Sequence, residues 1–178
     1  QWARDDPAFA VVVTYLVLVG ALAFTIALDR FSMWGYLWTC FYCVAINWLL
    51  IGAIIASFTS HIANKFLRVH HSHSMEQEVE WLFAFDVHSN AFFCSFLITY
   101  VLQYFLLPIL MSKSALSCIL SNVLYASASV WYAYNTYLGY KSLPFLGNPQ
   151  VFLWYPSVII ALLLSVSLVL LAIGIHWN

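Results

Sequence analysis

Charge is scarce in this chain. Only 7% of its 178 residues are Asp, Glu, Lys or Arg, while 64% are hydrophobic, and soluble domains carry about a quarter charged residues. That balance excludes a water-soluble globular domain. The two signs nearly cancel, six Lys+Arg against seven Asp+Glu. No overall basic field recruits nucleic acid, which is therefore not an expected partner. Cysteine is sparse too. Cys40, Cys43, Cys94 and Cys118 all fall inside apolar runs, so no disulfide framework between polar loops is indicated. The Cys-x-x-Cys spacing of Cys40 and Cys43 reads as small apolar packing residues. No basic and apolar leader precedes Trp2. Because the first residue is Gln1 rather than Met, the chain is expected to be a piece lacking a preceding cytosolic N-terminal segment.

What the chain has in abundance is uncharged apolar sequence, in five runs. At 1.5 Å per residue, about twenty helical residues cross the ~30 Å hydrocarbon core. The first run ends at Leu28 and begins after Asp6–Pro7, which suit a helix cap and first helical position. Phe31–Phe58 follows, with Trp34, Tyr36 and Trp38 as interfacial anchors. The third run covers Ala84–Met111, the fourth Ala115–Leu138 and the fifth Val151–Ile175. None alternates like a barrel strand. The expected fold is all-α, an integral membrane bundle of five transmembrane helices forming a single domain over residues 1–178 in the lipid bilayer.

Thr59–Glu80 is the one substantial polar connection, and Gly139–Gln150 is a turn-rich loop. With five spans, Arg4, Lys65, Arg68 and Lys141 share one side, while Arg30 and Lys113 lie on the other. The excess places the first side in the cytoplasm and the C-terminus in the lumen.

The chain changes character at Glu78–Phe93, where Asp86, His88 and Asn90 sit just inside the third apolar run. An ionisable residue costs ~2.5–3.5 kcal/mol at a bilayer centre and less near the interface, so chains keep one where it pairs, lines a cavity or meets a partner. On a helix Asp86 and Asn90 share a face and His88 points elsewhere. Asp86 can pair with a cation from a neighbouring polar segment, with Arg4, Lys65 and Lys141 on the same expected side. Glu80–Asn90, with Trp81 and with Arg4, Asp5 and Asp6 of the entry segment, is read as a structural and recognition motif at the membrane interface. No serine elbow, phosphate loop or carboxylate dyad accompanies it. No catalytic, cofactor-binding or metal-binding residue is expected. The alternatives use the same residues: a lipid or ion transporter, or an intramembrane enzyme, built on Asp86, His88 and Asn90. The His70-His71-x-His73 cluster does not converge on one point of a helix and reads as a solvated loop.

Two further patterns concern packing. Asn122, Ala126, Ser129 and Ala133 recur at helical spacing, a seam between helices or, on the sharper reading, a substrate groove. Gly52 and Ala56 form a small-x-x-x-small pair that lets another helix approach, and Cys43 and Asn47 share a face where the amide can act as interhelical glue.

Four segments carry a resemblance: QWARDDPAF at Gln1–Phe9, NKFL at Asn64–Leu67, VEWLFAFDVHSNAF at Val79–Phe92 and YLGYKSLPFL at Tyr137–Leu146. In this order and across nearly the whole chain they resemble the uncoordinated-fifty family of Golgi multi-span membrane proteins, itself similar to Yip-type five-span trafficking proteins. Two features depart from the family pattern: Cys94 stands where a proline is expected, and the His70–His73 cluster is not part of it. The resemblance implies a Golgi membrane location, with the endoplasmic reticulum or inner nuclear membrane as other compartments. It implies vesicular trafficking and surface delivery of multi-subunit receptors such as nicotinic acetylcholine receptors. Receptor subunits as cargo and an Arf guanine-nucleotide exchange factor are the partners it implies. The oligomeric state is left open.

Overall fold

The computed structural model describes residues 8–28, 32–69, 77–112 and 114–172. Helix α1 runs Ala8–Ala27. Its buried residues Val13, Val17, Ala21 and Thr25 recur every fourth position, which makes one packed face. Thr14 and Thr25 donate to the carbonyls of Ala10 and Ala21, both at 2.8 Å. A hydroxyl closed on its own helix in this way leaves no polar group to solvate in lipid.

Helix α2 covers Met33–Leu67, with Ser32 as its N-cap. Tyr42–Leu50 and Ala63–Leu67 are π-helical, wider turns that recur at functional positions. The helix continues past Phe58, where the sequence suggests a polar connection from Thr59. The reason is local. Thr59 and Ser60 donate to the carbonyls of Ile55 and Ser57 at 2.8 and 3.1 Å, so their polarity is absorbed by the helix.

Helix α3 is Trp81–Leu110, with a π-helical turn at Leu97–Leu102 and Pro108 in its last turn. There a missing N–H breaks the fewest bonds. The turn that follows is stitched by hydroxyls. Ser117 Oγ donates to the Leu110 carbonyl at 2.6 Å, and the Ser117 N–H donates to Ser114 Oγ at 3.2 Å, which caps helix α4, Ala115–Lys141. Helix α5, Val151–Ala172, closes the described chain.

Helices α1 to α4 are each long and apolar enough to cross a membrane, and α5 adds a fifth apolar helix of 22 residues. Among the described residues the fold is helical, apart from one isolated antiparallel bridge between Arg68 and Leu146. The internal contacts of residues 1–178 form two compact units. One comprises Gln1–Asn90 with Gly139–Pro149, the other Ala91–Leu138 with Gln150–Asn178. In the second, Ser95 Oγ donates across to the Ala128 carbonyl of α4 at 2.8 Å. The first holds the site described next.

Candidate functional site

The end of α2 does not fray into a free loop; its last turns grip two other segments. Asn64 presents its side-chain amide to the backbone of Val79 as a strand would. Its Nδ2 donates to the Val79 carbonyl at 2.9 Å, and its Oδ1 accepts from the Val79 N–H at 2.8 Å. Val79 is thereby buried, two residues before α3 begins. Next to it Arg68 Nη1 meets Glu78 Oε1 at 2.8 Å, an exposed pair of modest energetic value. On the other side the chain leaving α2 pairs with the loop after α4. The Val69 N–H donates to the Phe145 carbonyl at 3.0 Å, and the Gly147 N–H donates to the Leu67 carbonyl at 2.8 Å. A Cβ on Gly147 would stand 2.7 Å from Val69 Cγ2, so glycine is what permits this approach.

One turn into α3 the packing tightens around two consecutive residues. His88 is 3% exposed, and its ring stacks on Trp48 at 5.4 Å between centroids. The imidazole also hydrogen-bonds the Trp48 backbone carbonyl. Phe85 closes another side at 6.0 Å. Trp48 is itself fixed, since its Nε1 donates to Thr14 Oγ1 of α1 at 2.8 Å. Val87, also buried, lies against Gly139 of α4, where a Cβ would come within 2.7 Å of Val87 Cγ1. The next residue on α4, Tyr140, is fully buried and donates from its hydroxyl to Thr59 Oγ1 at 2.7 Å. Helices α1, α2, α3 and α4 are thus joined by hydrogen bonds and glycine contacts within about two turns of one another.

The residues singled out from the sequence fall into distinct places. Asp86 is half-buried, His88 buried and Asn90 exposed. Asn90 Nδ2 donates to the Asp86 carbonyl at 2.8 Å, as residues four apart on one helical face allow. Glu80 is exposed, and so is Trp81, whose Nε1 donates to Ser57 Oγ at 2.9 Å. Arg4, Asp5, Asp6 and the His70–His73 cluster lie outside the described residues. On α4, Ala133 is fully buried, while Asn122, Ala126 and Ser129 are half-buried. Sequence reasoning did not find Asn64, Trp48, Thr59 or Gly139 as partners in this arrangement. Gly139 had a signal in the string Tyr137–Leu146; the others are ordinary residues of an apolar helix.

Chemically, the arrangement is a lock with an open rim. Its centre is filled by rings and its polar atoms face backbone groups, while Glu78, Glu80 and Trp81 remain accessible at the edge. Such a chain, with four spanning helices, a fifth apolar helix and an interhelical lock at one end, is a multi-span helical membrane protein.

A family model described as the UNC-50 family matches residues 1–177. The chain belongs to that family. Among curated proteins it is 46% identical over 171 residues to "Protein unc-50 homolog" of Dictyostelium discoideum, covering 96% of this chain and 65% of that protein. It is 36% identical over 179 residues to "Protein unc-50 homolog" of Homo sapiens, covering 100% of this chain and 66% of that protein. It is 33% identical over 156 residues to "Protein GMH1 homolog" of Schizosaccharomyces pombe, covering 86% and 66%. The chain thus spans just under two thirds of the length of these relatives. No solved structure matches it.

Proposed function

We propose that this chain is the membrane-embedded part of a Golgi trafficking protein that supports surface delivery of multi-subunit receptors, nicotinic acetylcholine receptors among them. In this reading it engages an Arf guanine-nucleotide exchange factor through the rim of the lock, and it carries out no reaction of its own. One observation supports it above the others. Three of the four segments that mark the family, Asn64–Leu67, Val79–Phe92 and Tyr137–Leu146, have members in direct contact at one end of the helices. A family signature gathered at one helix end, around a closed core and with Glu80 and Trp81 left exposed, suits docking better than chemistry. Packing of His88 between Trp48, Phe85 and Gly52 argues the same way, since a reactive imidazole needs access to its substrate.

The test is affinity capture from Golgi membranes with the full-length protein. Glu80→Lys reverses an exposed charge and is expected to lower recovery of the Arf exchange factor about ten-fold, with abundance and location unchanged. Undiminished capture by a Glu80→Lys, Trp81→Ala double variant would overturn docking at this rim.

A further inference from the structure

Asparagines in the spanning helices close their hydrogen bonds within the chain, with one exception among the described residues. Asn64 pairs with the Val79 backbone, Asn90 and Asn135 donate to the carbonyls of Asp86 and Trp131, and Asn122 lies 3.7 Å from Cys118 Sγ. Asn47 has no such partner among the described residues, although the hydroxyls of Thr39, Ser57, Thr59 and Ser60 on the same helix all bond back to it. Its depth makes this costly. Asn47 lies roughly 20 Å along α2 from Met33 and about 30 Å from Leu67, well inside the ~30 Å hydrocarbon layer. Lipid tails can neither donate to its carbonyl nor accept from its amide.

The position is also accessible. Trp48 beside it is fully buried, but Leu49, Leu50 and Ile54 are 44%, 50% and 58% exposed, so half-buried Asn47 stands where the packed face of α2 gives way to the face turned to lipid. Cys43, one turn earlier, is a half-buried free thiol. A small side chain there leaves room for a second helix to come close.

We propose that Asn47 pairs with Asn47 of a second copy of this chain, making the Cys43–Asn47 face of α2 a homodimer contact inside the membrane. A second copy fits because the carboxamide is self-complementary. Its carbonyl accepts and its NH2 donates, so a two-fold axis through the pair satisfies both groups with one residue. The wider turn of Tyr42–Leu50 carries this amide on the same stretch of helix that carries Trp48 into the lock, so the dimer face and the lock are fixed together.

Oxidative cross-linking of the full-length protein in its native membrane, with copper–phenanthroline, tests the proposal through the native Cys43. A disulfide-linked dimer is expected, lost in Cys43→Ser, retained in Asn47→Gln and reduced at least five-fold in Asn47→Leu. Leucine suits a lipid-facing helix, and an unchanged melting temperature of detergent-solubilised Asn47→Leu establishes that the variant is folded. Absence of the Cys43 dimer, its undiminished formation in Asn47→Leu, or cross-linking of Cys43 to a different protein instead would each overturn the homodimer.

Discussion

His88 and Gly52 are fitted to one another: a Cβ on residue 52 would stand 2.6 Å from His88 Nε2 and 2.8 Å from its Cδ2. The ring cannot retreat, because Trp48 stacks behind it and Phe85 lies 3.3 Å from the same Cβ position. Helix α3 therefore approaches α2 at a distance only glycine allows.

Gly52→Ala should lower the melting temperature of the detergent-solubilised protein. Alanine favours helix by roughly 1 kcal/mol, but overpacking a tight contact costs about 1–3 kcal/mol, and the ring has no free direction to move. The penalty should shrink when His88→Ala is introduced alongside, because the two sites are directly coupled. Gly139→Ala should behave like Gly52→Ala, since the methyls it meets belong to the stiff, β-branched Val87. Equal or raised stability in both glycine variants would contradict the close approach.

Asn64→Asp tests the amide that stands in for a strand. The carboxylate keeps the acceptor for the Val79 N–H but loses the donor and faces the Val79 carbonyl. A loss of about 1–3 kcal/mol is expected. Faster amide hydrogen exchange at Glu78–Trp81 is the readout, and exchange as slow as in the parent protein would show that Asn64 does not hold this segment.

The helical character of the chain was legible from its apolar runs, and the starts of α2 and α3 fall within a few residues of the expected Phe31 and Ala84. The end of α2 was not. Thr59, Ser60, His61, Asn64 and Lys65 read as a solvated loop because composition does not reveal that a hydroxyl will bond to its own helix. The 3.6-residue period correctly separates His88 from the face shared by Asp86 and Asn90. It could not supply the other half of each contact. Trp48, Gly52 and Gly139 meet Val87 and His88 only through helix–helix packing, and nothing local to those residues encodes it.

Asp86 and Glu80 provide an internal comparison. Asp86 is half-buried and Glu80 exposed. Breaking a buried charge interaction costs about 3–5 kcal/mol, whereas an exposed one contributes about 1 kcal/mol or less. Asp86→Ala should therefore reduce folded yield visibly and Glu80→Ala hardly at all. Equal yields for the two would show that Asp86 is energetically a surface residue.

Orientation follows from the distribution of Lys and Arg and is checked by glycosylation. An acceptor site inserted at the turn around Ser112–Ser114 should be modified, and one inserted beside Leu143 should not. Modification at Leu143 alone would reverse the topology.

His88→Ala in the full-length protein tests most directly whether the lock is a structural and docking element. Abundance, location, capture of the Arf exchange factor and receptor surface delivery are measured together in cells lacking the native protein. With His88 filling the space between Gly52 and Trp48, stability should fall and the other three readouts should decline with it. A His88→Ala protein that is fully folded, correctly located and able to capture its partner, yet unable to support receptor delivery, would contradict the account and assign the imidazole a chemical role.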